Sequence, residues 1–474
     1  MTGRFYIHNT LTRRKELFTK EPGETVTLYT CGPTVYDYTH IGHLRPALVT
    51  DILCRWLRHL GYPVHAIMNF TDIDDRIIQK AQAEDLPFEA ISQRYMEDFI
   101  ENMGRLGMDQ VSQYIQATHH IPAITRLVEG LLQQGYAYPL EGDVYFDVTR
   151  FERYGSLSGR TLEELQAGAR VQVDERKRHP ADFALWKGAK EGEPYWEAPF
   201  GPGRPGWHIE CSAMVIEHFG PQVDFHLGGD DLIFPHHENE IAQSECFTGH
   251  HPFARYWVHN AMVQVEGEKM SKSLKNFVTL RSLLSRHRPQ TLRFFLLATH
   301  YRKPLQYSEE GLEEAGRAFA RLQNAYQRLE EALAYGEEGG PSLEEALTQA
   351  REDFTAALND DLNTPAALAA LFDLARAIQK GLREHPRPRG SAAALEGFRE
   401  LLGLLGLRVA EEQTASPQQR EKAEELVEIL LTLRQEAREA GQWLLADRIR
   451  DELSRVGVAV EDTPQGPRWK WRHG

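Results

Sequence analysis

Two β-rich stretches flank a helical stretch near the start of the chain, and this order restricts the fold more than any other feature. The β-rich stretches are ETVTLYTC (24–31) and VHAIMNF (64–70), and the helical stretch between them is HLRPALVTDILCRWLRHL (43–60). This order predicts a right-handed βαβ unit in a parallel sheet, whose ligands gather beyond the carboxyl ends of the strands. Cys31 and Thr71 both fall there, so we expect an α/β fold with a site near them.

The pattern changes several times after this unit, which predicts an interrupted first domain and separate C-terminal parts. Residues 121–200 combine a helix with short strands, and the sheet pattern resumes at QVDFHLGG (222–229). Apolar positions then recur at helical spacing before a polar linker at 411–418. We divide the chain into a split α/β catalytic domain (1–120 and 201–260), an insertion (121–200), a region with a lysine-rich loop (261–307), an α-helical bundle (308–410) and a small mixed α/β C-terminal unit (411–474).

Composition excludes several classes of protein. Four cysteines in 474 residues are too sparse for a disulfide framework, and we interpret Cys54 and Cys246 as ordinary buried residues. The formal net charge of −15 argues against binding of nucleic acid over the whole surface, because such proteins concentrate Lys and Arg. With no signal-peptide pattern and no long apolar window, we expect a cytoplasmic protein without membrane contact, and a monomer.

The loop between the first strand and its helix contains two histidines three residues apart, in His40-Ile41-Gly42-His43. The free N–H groups and the positive dipole end of a helix attract phosphate, histidine side chains can donate to it, and Gly42 permits close approach of a base or ribose. Lone histidines are usually only satisfied polar groups. The position at a strand-to-helix turn nevertheless favours a nucleotide site.

A second motif, Lys269-Met270-Ser271-Lys272-Ser273, places two lysines three residues apart in a polar loop after a strand. Alone it would be interpreted as an exposed basic turn. Together with the histidine motif it predicts a clamp on a triphosphate, because ammonium groups stabilise the charge that develops as pyrophosphate leaves.

Both motifs match those of class I aminoacyl-tRNA synthetases without substitution, and the chain therefore resembles that family. The resemblance implies a Rossmann-type catalytic domain, ATP with Mg²⁺, an aminoacyl-adenylate and transfer to the terminal ribose of tRNA. It implies catalytic roles for His40, His43, Lys269 and Lys272, and ATP contacts from His40, Gly42, His43, Lys272, Gly229 and Asp231, the last two near the ribose.

A metal site is indicated by residues from distant segments. A proline at a plausible first helical position puts His236 and Glu240 on one helix face, where such a pair can ligate one ion. A solvated His/Glu face is the alternative for this pair. Cys31 ends the first strand and Cys211 lies at another helix start. Two thiolates, an imidazole and a carboxylate suit one Zn²⁺ in softness and number, although free buried cysteine is the ordinary alternative.

Three segments, 31–37, 206–214 and 234–245, resemble the cysteinyl-tRNA synthetase family, and the resemblance extends over nearly the whole chain. It implies L-cysteine, ATP and tRNA(Cys) as partners, a bundle at 308–410 that contacts the tRNA stem, and an anticodon-binding unit at 411–474. The same resemblance places Zn²⁺, which binds the substrate thiolate, on Cys31, Cys211, His236 and Glu240, and lines the cysteine pocket with Thr71, Trp207 and His226.

A zinc ion would explain how the site distinguishes cysteine from serine. Serine differs from cysteine by one atom, and an apolar pocket separates such near-isosteres by only about 1 to 3 kcal/mol. The insertion at 121–200 looks too short for a proofreading domain. Zinc lowers the pKa of a thiol and takes its soft sulfur as thiolate, a role that a neutral hydroxyl fills poorly. We therefore expect selection of cysteine in the binding step.

The end of the chain, Arg468-Trp469-Lys470-Trp471, interleaves cations with aromatic residues. Unpaired bases of tRNA could stack on either tryptophan while phosphates meet Arg468 and Lys470. A final strand with solvated charges is an equal alternative.

Two other functions remain open at this point. Ligases that join cysteine to an amino-sugar pseudodisaccharide in thiol biosynthesis resemble the same catalytic domain and zinc site, but they lack a full anticodon unit. This chain continues with residues 457–471, which resemble the synthetase ending. A zinc-stabilised scaffold that only binds nucleotide or RNA would require both motifs to be structural. The sequence thus favours the synthetase.

Overall fold

The computed structural model describes residues 4–167, 176–265, 268–269, 278–334, 336–409, 417–455, 458–463 and 466–471. The chain divides into two compact units, Met1–Leu284 with Pro289–Ala410 and Ser285–Arg288 with Glu411–Gly474. None of the helices in these ranges is long and apolar enough to cross a membrane.

Both strands and helices build the first unit. In chain order its strands are β1 Tyr6–Asn9, β2 Arg14–Leu17, β3 Val26–Thr30, β4 Val64–Phe70, β5 Gln113–Gln116, β6 Ala137–Leu140, β7 Asp143–Phe146, β8 Phe183–Gly188, β9 Gly203–Pro205, β10 Val223–Gly229, β11 Ala254–Asn260, β12 Val263–Val265, β13 Glu268–Lys269, β14 Leu305–Tyr307, β15 Gly339–Ser342 and β16 Pro388–Arg389. Its helices are α1 Ile41–His59, α2 Asp75–Glu84, α3 Phe88–Arg105, α4 Ile121–Gln133, α5 Leu162–Ala167, α6 Trp207–Phe219, α7 Glu238–Thr248, α8 Leu280–Leu284, α9 Pro289–Leu297, α10 Glu309–Ala332, α11 Glu344–Asn359, α12 Thr364–Glu384 and α13 Ser391–Leu404.

A five-stranded parallel sheet lies at the centre of the first unit, in the order β11-β10-β3-β4-β5. This is the Rossmann order, in which the chain leaves the first strand in one direction and later returns to its other side. The order in which strands are added to the sheet reverses between β3 and β10, although these two strands are parallel. Ligands of open α/β sheets bind in the crevice at such a switch point. The predicted α/β fold with a Rossmann-type sheet is confirmed.

The first βαβ unit matches the expectation closely. β4 covers the predicted stretch from Val64 to Phe70, while α1 begins at Ile41, two residues before the predicted start. The earlier start follows from His40, whose side chain accepts a hydrogen bond from the backbone of the first turn and so caps the helix.

Alternating side chains of the central sheet enter two hydrophobic cores. Leu28 and Met68 join the core that contains α1 and the helical bundle, whereas their neighbours Tyr29 and Ile67 join the core that contains α4, α6 and α7. This alternation is what a strand buried on both faces requires, since successive side chains point to opposite sides.

A separate four-stranded antiparallel sheet, in the order β6-β7-β8-β9, lies between β5 and β10 in the chain. Its first three strands fall within the predicted insertion at 121–200, whereas β9 lies just past residue 200. Helices α10 to α13 follow the catalytic sheet, and α12 is capped by Asn363, whose Oδ1 accepts from the backbone N–H of Ala366 at 3.2 Å. Just before this cap, the buried carboxylate of Asp361 accepts from the backbone N–H of His8 at 2.9 Å and from the Tyr301 hydroxyl at 2.6 Å. The start of α12 is thereby attached to the N-terminal strand.

The second unit contains α14 Pro417–Glu439, α15 Trp443–Arg455 and the antiparallel pair β17 Val458–Thr463 and β18 Gly466–Trp471. The sequence predicts a small mixed α/β unit over this region, and the described residues form two helices followed by two strands. A small core of Val427, Leu431, Leu453 and Val458 holds the unit together.

A buried arginine joins α1 to the far end of the bundle. Arg293 on α9 is fully buried, and its Nη2 donates to the carboxylate of Asp51 on α1 at 2.5 Å. Its Nε donates to the carbonyl of Leu405 at 2.7 Å, and its Nη1 donates to the carbonyl of Gly107 at 2.9 Å. A Cβ on Gly406 would lie 2.2 Å from the guanidinium, so any larger residue at position 406 would clash with Arg293.

We expect Arg293→Met to lower the free energy of unfolding by about 3 to 5 kcal/mol, because it breaks a fully buried ion pair and leaves the Asp51 carboxylate with Arg55 as its cationic partner. Urea denaturation followed by circular dichroism measures the change. Arg317→Met is the matched control, since Arg317 lies on α10 with its side chain 65% exposed, and we expect a change within about 0.5 kcal/mol. Equal effects of the two substitutions would contradict the structural role of Arg293.

Candidate active site and metal centre

Two histidines at the start of α1 are held by backbone hydrogen bonds. The N–H of Gly42 donates to Nδ1 of His40 at 3.1 Å, and the N–H of His40 lies 3.5 Å from Nδ1 of His43. Because both Nδ1 atoms accept, a neutral ring at either position carries its proton on Nε2. Burial, and then the proximity of His40, keeps the pKa of His43 well below its ordinary value. The His43 ring is therefore a neutral donor through Nε2.

The chain on either side of the lysine-rich motif is fixed near this turn. Lys269 pairs with Gln264 across β13 and β12, and Thr279, past the motif, forms an antiparallel bridge with His40. The described chain after the motif is thus at the histidine turn by residue 279. Lys272 lies outside the described residues, and for Lys269 the structure gives the position of the backbone.

Two cavities lie at the carboxyl ends of β3 and β10, where the order of the strands reverses. They share part of their walls. The first, of about 250 Å³, has walls that include Gly42, Gly229 and Asp231. The second, of about 310 Å³, has walls that include Thr71, Trp207, Cys211 and His236. The walls of both include Cys31, His40 and His43.

A close backbone crossing brings the ends of β3 and β4 into these cavities. A Cβ on Gly32 would lie 1.7 Å from the carbonyl oxygen of Asn69, so only glycine fits at this position. The N–H of Gly32 donates to the side chain of Asn69 at 3.0 Å, and the N–H of Thr71 donates to the carbonyl of Pro33 at 3.3 Å. Cys31 and Thr71 consequently face the same cavity.

The four predicted metal ligands lie together. Cys31 Sγ is 3.7 Å from Cys211 Sγ and 3.5 Å from Glu240 Oε1, and His236 Nε2 is 3.0 Å from the same carboxylate oxygen. All four side chains are buried, and their donor atoms lie within 4.8 Å of one another. Two sulfurs, one imidazole nitrogen and one carboxylate oxygen in such a group fit the donors that Zn²⁺ takes in proteins.

The charges of this group also suit a cation. Burial would raise the pKa of Cys211, but the hydrogen bond from Cys31 and the neighbouring His236 outweigh it and lower that pKa to about 6. Burial likewise opposes ionisation of Glu240, yet His226 and His236 hold the pKa of this carboxyl well below its ordinary value. Burial opposes the charged form of His236, but Glu240 and Cys211 raise the pKa of its ring to about 10, so a thiolate and a carboxylate lie beside an imidazolium. A metal ion can replace the proton of that ring.

A second group of possible ligands shares Cys31 and Glu240 with the first, adding His226 and His237. His237 Nε2 is 3.3 Å from Cys31 Sγ, and its Nδ1 is 2.7 Å from Nε2 of His259. His237 is absent from the ligand set expected from the sequence, although its position three residues before Glu240 places it on the same helix face. His259 comes from β11, and only the fold brings it to the site.

The three residues expected to line the cysteine pocket occupy different depths. Trp207 is 41% exposed at the cavity, and its ring stacks on His236 with centroids 4.4 Å apart. Thr71 lies in the cavity wall, and its hydroxyl donates to Glu210 Oε2 at 3.0 Å. His226 is fully buried behind the metal ligands, where its Nε2 is 2.8 Å from Glu240 Oε2.

At the end of the chain, Trp469 pairs with Val460 between β18 and β17. Its half-buried ring packs against the core of the second unit. Trp469 therefore has a structural contact in addition to the tRNA contact expected from the sequence. Arg468, Lys470 and Trp471 are placed by the same strand pairing.

Comparison with known proteins decides the family. Residues 17–317 match the model of the tRNA synthetases class I (C) catalytic domain, residues 353–410 the DALR domain, and residues 421–472 the cysteinyl-tRNA ligase anticodon binding domain. The cysteine–tRNA ligase of Heliobacterium modesticaldum is 47% identical over 98% of this chain and 99% of its own length. The chain belongs to the cysteine–tRNA ligase family. The relative from Geobacter sulfurreducens is 46% identical over 98% and 99% of the two chains.

Solved structures of related synthetases share the fold of this cysteine–tRNA ligase family member. The methionyl-tRNA synthetase of Mycobacterium tuberculosis, in complex with methionyl-adenylate, aligns with a TM-score of 0.56 and 16% identity over 82% of this chain and 90% of its own. The LeuRS of Agrobacterium radiobacter aligns with a TM-score of 0.57 and 13% identity, over 85% and 88%. At this identity the similarity concerns the fold alone.

Purified protein is expected to hold about one zinc ion per chain, because the four grouped donor atoms can share one ion. Cys31→Ser and Cys211→Ser should each lower the zinc content after dialysis well below this value, because each removes one thiolate. Atomic emission spectrometry measures the content. Cys54→Ser is the matched control, since Cys54 is buried on α1 and absent from both groups of ligands. The ligand assignment is wrong if all three variants retain the wild-type zinc content.

Proposed function

We propose that this chain activates L-cysteine with ATP to cysteinyl-adenylate and transfers the cysteinyl group to the 3′ end of tRNA(Cys). The observation that carries the proposal is the grouping of two thiols, an imidazole and a carboxylate, of which both thiols and the imidazole line one cavity. That cavity shares wall residues, including both histidines of the turn, with a second cavity. The match of residues 421–472 to the anticodon binding domain of cysteinyl-tRNA ligases supports tRNA as the acceptor.

In the first step, an oxygen of the cysteine carboxylate attacks the α-phosphorus of ATP, the bond to the β-phosphate oxygen breaks, and pyrophosphate leaves. We assign His40 and His43 to donate from Nε2 to phosphate oxygens, since their Nδ1 atoms accept backbone hydrogen bonds. Gly42 permits close approach of the nucleotide, and Gly229 and Asp231 are assigned to the ribose. Donors placed where negative charge grows stabilise the transition state more than the bound substrate.

Lys269 and Lys272 are assigned to the departing pyrophosphate, with Mg²⁺ accompanying the ATP. The support for this assignment is the bridge between Thr279 and His40, which returns the chain from the lysine-rich motif to the histidine turn. Ammonium groups near the β- and γ-phosphates would offset charge as the leaving group separates.

We assign Zn²⁺ to Cys31, Cys211, His236 and Glu240. When bound, zinc supplies a Lewis acid that lowers the pKa of a thiol and favours the substrate sulfur as thiolate. The remaining work falls to the chain itself. Trp207 would close the pocket over His236, on which its ring stacks. His226 would hold the Glu240 carboxylate in place from behind, as outer-shell partners of metal ligands do.

In the second step, a hydroxyl of the terminal ribose attacks the carbonyl carbon of the adenylate, and AMP leaves. We propose that the insertion at 121–200 lies near the acceptor end, that the bundle at 308–410 contacts the stem, and that the unit at 411–474 contacts the anticodon. Arg468, Trp469, Lys470 and Trp471 are the residues proposed for the anticodon contact. We further propose a cytoplasmic monomer.

The function is tested by charging unfractionated tRNA with labelled cysteine, serine and methionine, with and without a zinc chelator. We expect cysteine alone to be charged, and chelation to abolish the reaction. Cysteine activation without charging of any tRNA would point instead to the amino-sugar ligase. Absence of any activation would contradict the catalytic assignment.

Serine should not support measurable ATP–pyrophosphate exchange. The physical reason is that a neutral hydroxyl is a poor partner for the soft metal site that accepts a thiolate. The exchange assay is run with serine at the same concentration at which cysteine saturates the wild-type enzyme. Efficient exchange with serine would refute metal-based selection.

Removal of the chain beyond Gln413 should weaken tRNA charging strongly, while cysteine-dependent ATP–pyrophosphate exchange stays near the wild-type rate. The expected split follows from the division of the chain, since the first unit ends at Ala410 and contains both cavities. Both rates are measured on the same preparation. An equal loss of the two activities would contradict this division of labour.

A further inference from the structure

A buried carboxyl group that the proposed mechanism leaves unused lies directly behind the cysteine pocket. Glu210 belongs to the first turn of α6 and is 1% exposed. Its Oε2 accepts the hydroxyl hydrogen of Thr71 at 3.0 Å, whereas its Oε1 is buried without a hydrogen-bond partner in the described part of the chain. A buried polar atom left unpaired costs free energy, so its retention calls for a specific role.

Two backbone hydrogen bonds fix the position of Thr71. Its N–H donates to the carbonyl of Pro33 at 3.3 Å, and its own carbonyl accepts from the N–H of Val35 at 3.2 Å. These two bonds form the bridge between Thr34 and Thr71 that joins the loops after β3 and β4. Thr71 is thereby fixed in the wall of the cavity that also contains Cys211 and His236.

A threonine hydroxyl has one hydrogen to donate and two lone pairs that accept. Since the hydrogen of Thr71 goes to Glu210, the hydroxyl oxygen can present only lone pairs to the cavity. A group that binds there must therefore be a hydrogen-bond donor. An ammonium group has three donors and no acceptor, and matches this requirement.

The chemistry of cysteine leaves one group for this position. In the proposed function, which this inference rests on, the thiol is directed to the zinc site that includes Cys211 and His236, and the carboxylate must face the α-phosphate of ATP. The ammonium group is the remaining polar group of the substrate. Of the residues described in the wall of this cavity, Asp231 alone carries a carboxylate, and it is assigned to the ATP ribose.

We propose that Glu210 is the positioning residue that makes the cysteine pocket selective for an α-ammonium group. By accepting the hydrogen of Thr71, it turns the threonine hydroxyl into an acceptor for that group. The role belongs to the acceptor oxygen of residue 210, which acts through Thr71 and does not itself touch the substrate.

Two analogues that each lack one group of cysteine test the proposal. Cysteamine keeps the thiol and the ammonium group, and 3-mercaptopropionate keeps the thiol and the carboxylate. Each is used as an inhibitor of cysteine-dependent ATP–pyrophosphate exchange. Glu210→Met removes the acceptor while keeping a side chain of similar length, which frees the hydrogen of Thr71 to face the pocket.

For Glu210→Met we expect the KM for cysteine and the inhibition constant of cysteamine to rise by about 10- to 100-fold, the range for a hydrogen bond to a charged group. The inhibition constant of 3-mercaptopropionate and the KM for ATP should stay at the wild-type values. Glu210→Gln keeps an acceptor oxygen and should restore most of the affinity for cysteamine. Glu217→Met, an exposed change on the same helix, is the control and should alter none of these constants.

Two further variants keep the test decisive if Glu210→Met does not fold or loses its zinc. Glu210→Asp withdraws the acceptor by one methylene, and Thr71→Val removes the hydroxyl at nearly constant shape. Each should raise the cysteamine constant selectively, whereas Thr71→Ser should not. Equal rises for both analogues, or no rise for cysteamine, would overturn the proposal. Failure of the wild-type protein to carry out any cysteine-dependent exchange would instead overturn the proposed function.

Discussion

The parallel pairing of β3 with β4 on one side and with β10 on the other is the constraint on which the whole site depends. It brings the carboxyl ends of three strands to one edge of the sheet, although β10 lies nearly 200 residues further along the chain. Cys31 follows β3, Thr71 follows β4, and Asp231 follows β10. A single hydrogen-bonded sheet thus brings together residues that we assign to the zinc ion, the amino acid and the nucleotide.

Close packing and hydrogen bonds around this edge fix the side chains of the site. The crossing of Gly32 over the backbone of Asn69 leaves no room for a Cβ, and the hydrogen bonds of the histidine turn set both imidazole rings. The proposed metal ligands also lie on regular elements, since α6 supplies Cys211 and the helical turn before α7 supplies His236. The buried guanidinium of Arg293 holds α1 to the bundle from the opposite side.

Local sequence patterns were sufficient to predict the elements that depend on neighbours in the chain. The βαβ unit follows from the β-rich and helical stretches near the start of the chain, and the mixed α/β character of the second unit follows from the change of pattern after the polar linker. The grouping of Cys31 with Cys211 was suggested by ligand chemistry and strengthened by resemblance to a family, because no spacing rule connects residues 180 positions apart. The hydrogen bonds from His237 to His259 and from Thr71 to Glu210 could not be predicted, since they depend on which strands become neighbours.

The shared wall between the two cavities has a thermodynamic consequence. Cys31, His40 and His43 belong to both, so a ligand that shifts or rigidifies them changes the surface that the other ligand meets. Coupling of this kind is reciprocal: if ATP changes the affinity for the amino acid by some factor, the amino acid changes the affinity for ATP by the same factor. The two substrates of adenylation would then act as effectors of each other, with no separate regulatory site required.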